Sequence, residues 1–580
     1  MQASVCYVVT MHIDVVPNRK SPPAVLLRES YREGGKVKKR TLANLSSLSM
    51  EQVNALRLIL KGEKLIKPTE AFQIHSSKHH GHVQAVRIAL KRLGFEKLLA
   101  SSRSRNRDII VALVISRILS PDSKLATTRW WHSTTLPELC GVADADENEL
   151  YKAMDWLLGR QEQIEEKLAK RHLSDGGMAL YDLSSTYFEG SNCSLATMGY
   201  SRDKKKGKLQ VNFGLVADPR GCPVSIRVYK GSTGDSTTLL DTVHRIQDEL
   251  GVEHIVIVGD RGMITGKQVD ELKQTDGVDW ITALRTEGIR KLLKGGELQL
   301  GLFDERNLFE LMSPDFPDER LVACRNEALA KRRHHKRQAL LQATVDELEK
   351  IQRMVQAGRL KGKSEGEIGV RVGKTMNKYK VAKHFDLSIS DGEFSFSINA
   401  DRVAAEAALD GVYVVRTSLA AEQMSAEDAV RSYKLLCQVE RAFRSFKTMD
   451  LHIRPIYHRL DNRVRSHIFL CMLAYYVQWH MQEAWRSLLF FDEDLDAKST
   501  RDPVAPAQRS DAADDKASTK CLEDGSPAHS FQSLLQEMST IVRNTCTSPG
   551  ANAGDTTFDV DTSPNATQSQ ALELLKTITV

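Results

Sequence analysis

Between Met178 and Arg285 the sequence changes its hydrophobic period in an order that dictates one kind of sheet. Three stretches have strand character: MALYDLSSTYFEG from Met178, KKKGKLQVNFGLVAD and GCPVSIRVYKG, the last two joined by the turn Asp218-Pro219-Arg220-Gly221. A helical pattern follows, STTLLDTVHRIQDEL, ended by Gly251. Next come the short Ile/Val run HIVIVGDRGMIT from His254, a helix through KQVDELKQ, and the strand VDWITALR. The order β-β-β-α-β-α-β predicts a mixed α/β sheet with buried central strands.

Two acids stand on this sheet without a structural excuse. Asp182 lies within the first strand, and Asp260 follows the short buried strand, with Gly262 beyond it. Acids at or near strand ends converge with a third delivered by a helix. The rivals Asp203, Asp218, Asp235 and Glu189 carry less weight: Asp203 sits in a Lys run, Asp218 in a turn, and Asp235 at a helix start as an N-cap. The third acid comes from SYKLLCQVERAFRSFKTMDLHIRPIYHR, residues 432–459, whose first half has neither Pro nor Gly. Tyr433, Leu436, Glu440, Arg444 and Lys447 step by three or four residues onto one helical stripe. A carboxylate flanked by cations suits a site that holds a divalent ion and grips a polyanion, and two Asp with one Glu can seat a pair of Mg²⁺ ions for phosphoryl transfer. The plainer reading is an amphipathic face with ordinary helix ion pairs.

At these residues the chain resembles the DDE transposases of bacterial insertion sequences, in the branch called insertion-sequence family four and its relatives, which carries a Tyr-Arg-Glu-Lys signature. Tyr433, Glu440 and Lys447 fit the signature spacing, while Leu436 stands in the Arg position. Asp260 and Gly262 fit the second-Asp motif, with Met263 in place of its aromatic. The resemblance spans about residues 170–485. It implies an RNase H-like catalytic core, Asp182, Asp260 and Glu440 as catalytic and metal-holding residues, and Mg²⁺ as cofactor, with two ions and Mn²⁺ able to substitute. It also implies double-stranded DNA as partner, both transposon ends and target, a homodimer in the active complex, and a mostly β insertion before the last core helix. Tyr433, Arg444, Lys447, Arg454 and His458 are the expected DNA contacts.

The remaining chain is read around that core. At 580 residues it is too long for one hydrophobic core. A net charge of +6 is mild, so nucleic-acid affinity must reside in local patches. Nine Cys, an odd number without a C-x-x-C pair, point to reduced thiols in a cytoplasmic protein and exclude a disulfide framework or zinc ribbon. No signal peptide is expected, and IFLCMLAYYVQW from Ile468 is too short to span a membrane. The expected organisation is an α/β multidomain chain in four parts. Residues 1–70 form a hairpin about Gly34-Gly35 plus a helix capped by Ser49 and Gln52, with Arg28, Arg32, Lys36, Lys38, Lys39 and Arg40 facing DNA or solvent. Residues 71–174 are helical, and with Arg103, Arg105 and Arg107 at one loop they are the expected end-binding domain. Residues 175–485 form the catalytic domain, interrupted by a β-rich insertion at about 286–426 with a long basic helix through KRRHHKRQ. Residues 486–580, rich in Asp, Ser, Thr, Ala and Pro, are expected to be a mostly disordered tail. Two function classes remain: an active transposase, or a catalytically inactive DNA-binding relative such as a repressor or end-binding factor. A nuclease on the same fold is a third.

Overall fold

The computed structural model describes residues 10–19, 21–33, 35–63, 65, 72–190, 192–359, 365–547 and 557–580. The chain divides into two compact units, residues 1–77 with 543–562, and residues 78–542 with 563–580.

In the first unit Thr10–Val16, Ala24–Glu33 and Lys36–Asn44 form an antiparallel meander. The predicted turn includes Gly34, which lies outside the described residues; Gly35 takes φ +78°, a conformation glycine adopts freely. The expected capping box is present: Ser49 and Gln52 cap the helix Met50–Leu60 reciprocally. The basic strand is largely neutralised across the sheet. Arg28 and Lys39 meet Asp14 at 3.3 and 2.9 Å, Arg40 meets Glu29 at 2.7 Å, and Lys38 meets Glu33 at 2.7 Å. A second sheet brings together Gln73–His79, Val542–Thr547 and Phe558–Asp561, with the C-terminal strand Val542–Thr547 in the middle. This unit therefore extends past the predicted 1–70 boundary.

The second unit is built on an eight-stranded mixed sheet. Its central strand Gly177–Tyr187 runs parallel to Ile255–Val258 and antiparallel to Gln210–Ala217, which pairs in turn with Pro223–Lys230. Val278–Ala283 lies parallel to Ile255–Val258 on the other side. These are the predicted strands in the predicted order. Val412–Thr417, Arg320–Arg325 and Leu308–Leu311 then extend the same sheet antiparallel. The expected β-rich insertion is thus corrected, because three of its five strands belong to the core sheet. What remains of residues 286–426 is mainly helical: Glu327–Gln356 and Glu365–Tyr379 pack with the hairpin Phe385–Ser390 and Glu393–Ile398 around a small core of their own, Leu341, Leu348, Ile351, Ile368, Val372 and Phe394.

The helices Arg105–Leu119 and Glu147–Leu158 pack on the buried helix Asp461–Ala484, whose apolar residues also cover the strand Pro223–Lys230. One continuous core includes Ile110, Leu113, Leu157, Phe213, Phe469 and Tyr476, so the helical segment shares the interior of the sheet. Its arginine loop is committed to helix joints: Arg103 pairs with Asp108 at 2.8 Å, Arg105 with Asp144 at 2.8 Å, and Arg107 is buried. The described residues after 486 are not a loose tail. Phe531, Leu534, Leu535, Met538, Ala571 and Leu575 enter the same core, and Trp485 donates its indole N–H to the Ala571 carbonyl at 2.9 Å. Two short helices lie here, each opened by a capping box: Phe531–Met538, within the apolar helical pattern FQSLLQEMSTIVR that the sequence itself shows, and Ala566–Leu575, which a polar composition hid.

Candidate active site

Parallel pairing places the two strand acids side by side. Leu180 is opposite Val258, so Asp182 and Asp260 each lie two residues beyond a matched pair on neighbouring strands. Adjacent strands are about 4.8 Å apart, which is within reach of one shared cation. Past Val258 the chain turns, and the Asp260 carboxylate accepts the amides of Gly262 and Met263 at 2.9 and 2.8 Å. A Cβ at Gly262 would sit 3.3 Å from that carboxylate oxygen, so glycine permits the close turn that fixes the side chain.

The third acid arrives from above the sheet. Glu440 is exposed on the helix Leu436–Arg444, which packs against the Asp182 strand through buried Val439, Ala442 and Phe443. Burial pushes the Asp182 carboxyl up to about 7, and the negative charges of Asp260 and Glu440 push it the same way, against the amide of Leu183 and the charge of Arg202. Tyr433 feels the same three acids: burial first, then Asp260, Glu440 and Asp182, hold its phenol up to about 12, so it remains a hydrogen-bond donor at neutral pH. Asp182, Asp260, Glu440 and Tyr433 are therefore one electrostatic cluster.

The basic part of the predicted stripe is not continuous. Two consecutive helices, Ala426–Lys434 and Leu436–Arg444, meet at Leu435, and a π-helical turn follows over Ser445–Met449. The wider turn rotates Lys447 off the stripe, while Arg444 stays exposed. Lys447 points to Asp203 at 3.1 Å, and Arg454 reaches the same carboxylate oxygen at 2.5 Å. Asp203, set aside in sequence as part of a Lys run, has a side chain only 5% exposed. Asp235 is no N-cap, since its carboxylate holds Arg202 at 2.5 Å. His458 also departs from expectation: burial holds its imidazole down to about 3, so it is neutral at pH 7 and meets no phosphate as a cation. Its ring packs between Tyr151 and His467.

Arg202 and Arg261 were missed from sequence. Arg202 acts on Asp182 and Arg261 on Tyr433, each easing the negative cluster. The one available signal was their position beside Asp203 and Asp260, which a basic run and a turn made easy to pass over.

The family model described as transposase DDE domain matches residues 185–477. It begins three residues after Asp182 and includes Asp260 and Glu440. The model described as IS1634 family transposase, N-terminal domain, matches residues 13–71. No curated protein matches the chain. Among solved structures the chain is similar to a piggyBac transposase synaptic complex with hairpin DNA, at 9% identity over 79% of this chain and 75% of that one, with a TM-score of 0.33. A likeness that weak carries no argument here. The DDE match spans half of the chain, and with the N-terminal match at its other end it identifies the protein as a member of the DDE-domain transposases, an insertion-sequence transposase that catalyses phosphoryl transfer on DNA.

Proposed function

We propose that Asp182, Asp260 and Glu440 are the catalytic triad and hold two Mg²⁺ ions, replaceable by Mn²⁺, while transposon ends are cut and joined to a target. The observation that carries this reading is geometric: Asp182 and Asp260 stand at matched positions past a parallel strand pair, and the helix that bears exposed Glu440 packs on the Asp182 strand. Three neighbouring carboxylates repel one another, and hard oxygen donors of this kind suit a small divalent cation. Bound ions would supply Lewis-acid activation of the attacking and leaving oxygens. Asp182 and Asp260 present fixed carboxylate oxygens from adjacent strands, and Glu440 closes the cluster from the helix. Tyr433 keeps its proton and can donate it to a phosphate oxygen. Water attack at the element end releases a 3′-OH, and that hydroxyl attacks a target phosphodiester in line.

The finer family placement belongs to the same reading: Tyr433, Glu440 and Lys447 keep the Tyr-Arg-Glu-Lys spacing even though Lys447 turns toward Asp203. We also place the work on double-stranded DNA in a bacterial cytoplasm and in a homodimer, since two ends must be joined together. Among the described residues no helix is long and apolar enough to cross a membrane.

The decisive experiment substitutes Asp182→Asn, Asp260→Asn and Glu440→Gln separately. Each should abolish cleavage and strand transfer with end binding retained, because neutral amides are poor Mg²⁺ ligands. Cleavage that survives in any one of them removes that residue from the triad. Cleavage without strand transfer in the unaltered protein would mark a nuclease.

A further inference from the structure

Behind the catalytic helix lies a cavity of about 450 Å³, bounded by the end of the helix Arg105–Leu119, the start of Lys124–Trp131 and the segment 452–467. Among the described residues, the Lys124, Arg117 and Arg463 side chains on its wall have no acid partner. Lys124 is 3% exposed, and among the described residues its ammonium has neither a hydrogen bond nor an ion pair. Arg117, 5% exposed, donates only to the carbonyls of Leu451 and Asp122, at 3.5 and 3.1 Å. Arg463 stacks 4.4 Å from the Tyr151 ring centre, and its buried Nε lacks an acceptor. The buried Nδ1 of His467 also lacks a partner.

The nearby acids are spent elsewhere. Asp122 borders the cavity but is exposed to solvent, accepts the Ser123 amide at 2.6 Å and makes no ion pair among the described residues, Asp203 holds Arg454, and Glu147 acts on Tyr151. A buried ammonium beside a buried guanidinium is strongly disfavoured unless an opposite charge joins them. Burial first, then the charge of Arg117, already pushes Lys124 down to about 7. The N-terminus of the helix Lys124–Trp131 opens at the same wall and adds partial positive charge.

We propose that this cavity binds a phosphate-type oxyanion, with Lys124, Arg117 and Arg463 as its ligands. An oxyanion presents several oxygens in fixed directions to converging donors, whereas a halide is a single sphere, and guanidinium groups match the oxyanion's geometry. The cavity has room for a phosphate together with part of a nucleotide that carries it. Two sources share this chemistry, the terminal phosphate of a DNA strand and free inorganic phosphate. The site is independent of the three acids, so its test needs no cleavage.

The test uses the full-length protein. Thermal midpoints are measured in inorganic phosphate against chloride at equal ionic strength, for the unaltered protein and for Lys124→Met. Binding of duplexes with and without a 5′-phosphate is measured in parallel. Phosphate should raise the midpoint of the unaltered protein in a saturable way and leave that of Lys124→Met unmoved. Without phosphate the variant should be at least as stable as its parent, because it loses an unpaired buried charge. A 5′-phosphorylated duplex bound about tenfold more tightly, with that preference lost in Lys124→Met, assigns the strand end. A phosphate shift with no duplex preference assigns the free anion. If Lys124→Met does not fold, Arg463→Gln together with equilibrium dialysis of radiolabelled phosphate on the unaltered protein decides the matter. Equal midpoints in phosphate and chloride, with equal binding of the two duplexes, would overturn the proposal.

Discussion

The ammonium of Lys447 lies 3.1 Å from Oδ1 of Asp203, and both side chains are nearly sealed from solvent. Burial lowers the Lys447 pKa, and Asp203 opposes that effect. A cation already neutralised inside the protein releases no counterion when DNA arrives, so it adds nothing to the salt dependence of binding. Arg444, exposed on the helix of Glu440 and without an acid partner among the described residues, is free to do so. Arg444→Ala should lower the salt slope of DNA binding by about one unit, whereas Lys447→Ala should leave it unchanged. Lys447→Ala should instead destabilise the fold by about 1–3 kcal/mol, as Arg454 still pairs Asp203. Binding titrations across a salt series, with denaturant melts, check both; an equal slope change in the two variants would return Lys447 to the DNA.

The raised Asp182 carboxyl makes metal-free stability depend on pH. Its folded pKa, about 7, is above the unfolded value, so the folded state binds more protons between about pH 4 and 7. Stability from this group is present at low pH and declines as pH rises through that window. Asp182→Asn should therefore raise the metal-free unfolding free energy at pH 7.5, by an amount on the order of a few kcal/mol, while abolishing the stabilisation that Mg²⁺ gives the parent. Calorimetry at pH 5 and pH 7.5, with and without Mg²⁺, reads the effect. A variant less stable than the parent at pH 7.5 would contradict it.

The helical arm has its own interior and should loosen by itself. Leu348 is fully buried in the small core formed with Ile351, Ile368 and Val372. Leu348→Ala should cost about 2–5 kcal/mol within that subdomain. Hydrogen exchange should accelerate across Glu327–Gln356 and Glu365–Tyr379 and stay unchanged in Gly177–Tyr187. Uniform acceleration would mean that the arm and the sheet unfold together.

Truncation at residue 485 should fail to give a stable protein. It removes Leu534, Met538, Ala571 and Leu575 from the shared core and strips the Trp485 indole of its acceptor. Residues 78–174 should likewise not fold as an isolated fragment, because Ile110, Leu113 and Leu157 would lose their partners on Asp461–Ala484. Circular dichroism of the two fragments is the check, and a cooperative melt from either would show that the core divides.

Asp182 and Asp260 were legible because short strands bounded by turns leave a lone carboxylate without a local task. Glu440 was legible because a stretch without Pro or Gly reads as helix and puts it on one stripe with Tyr433, although the structure divides that stretch into two helices at Leu435. Lys447 was misplaced because a π-helical turn leaves no mark in an otherwise regular helical pattern. Asp203 was hidden by its neighbours: a run of Lys reads as solvated surface, although the one acid within it turns inward. The three strands added to the core sheet were assigned to an insertion because register between distant strands is not written in local periodicity. The helical spacing of Phe531, Leu534, Leu535 and Met538 was legible, but polar flanking sequence concealed both their docking into the shared core and the second helix, Ala566–Leu575.

The strand Val542–Thr547, which occupies the middle of a sheet whose outer member is Gln73–His79, ties an early and a late part of the chain together in time. At ribosomal speeds of about 5–20 residues per second, Gln73–His79 waits from roughly half a minute to a minute and a half for its neighbour to be made. During that interval its edge is bare, and any nascent copy on the same polysome offers an equivalent one. The completed N-terminal unit is thus a late product of translation, finished only after Asp182, Asp260 and Glu440 have already left the ribosome.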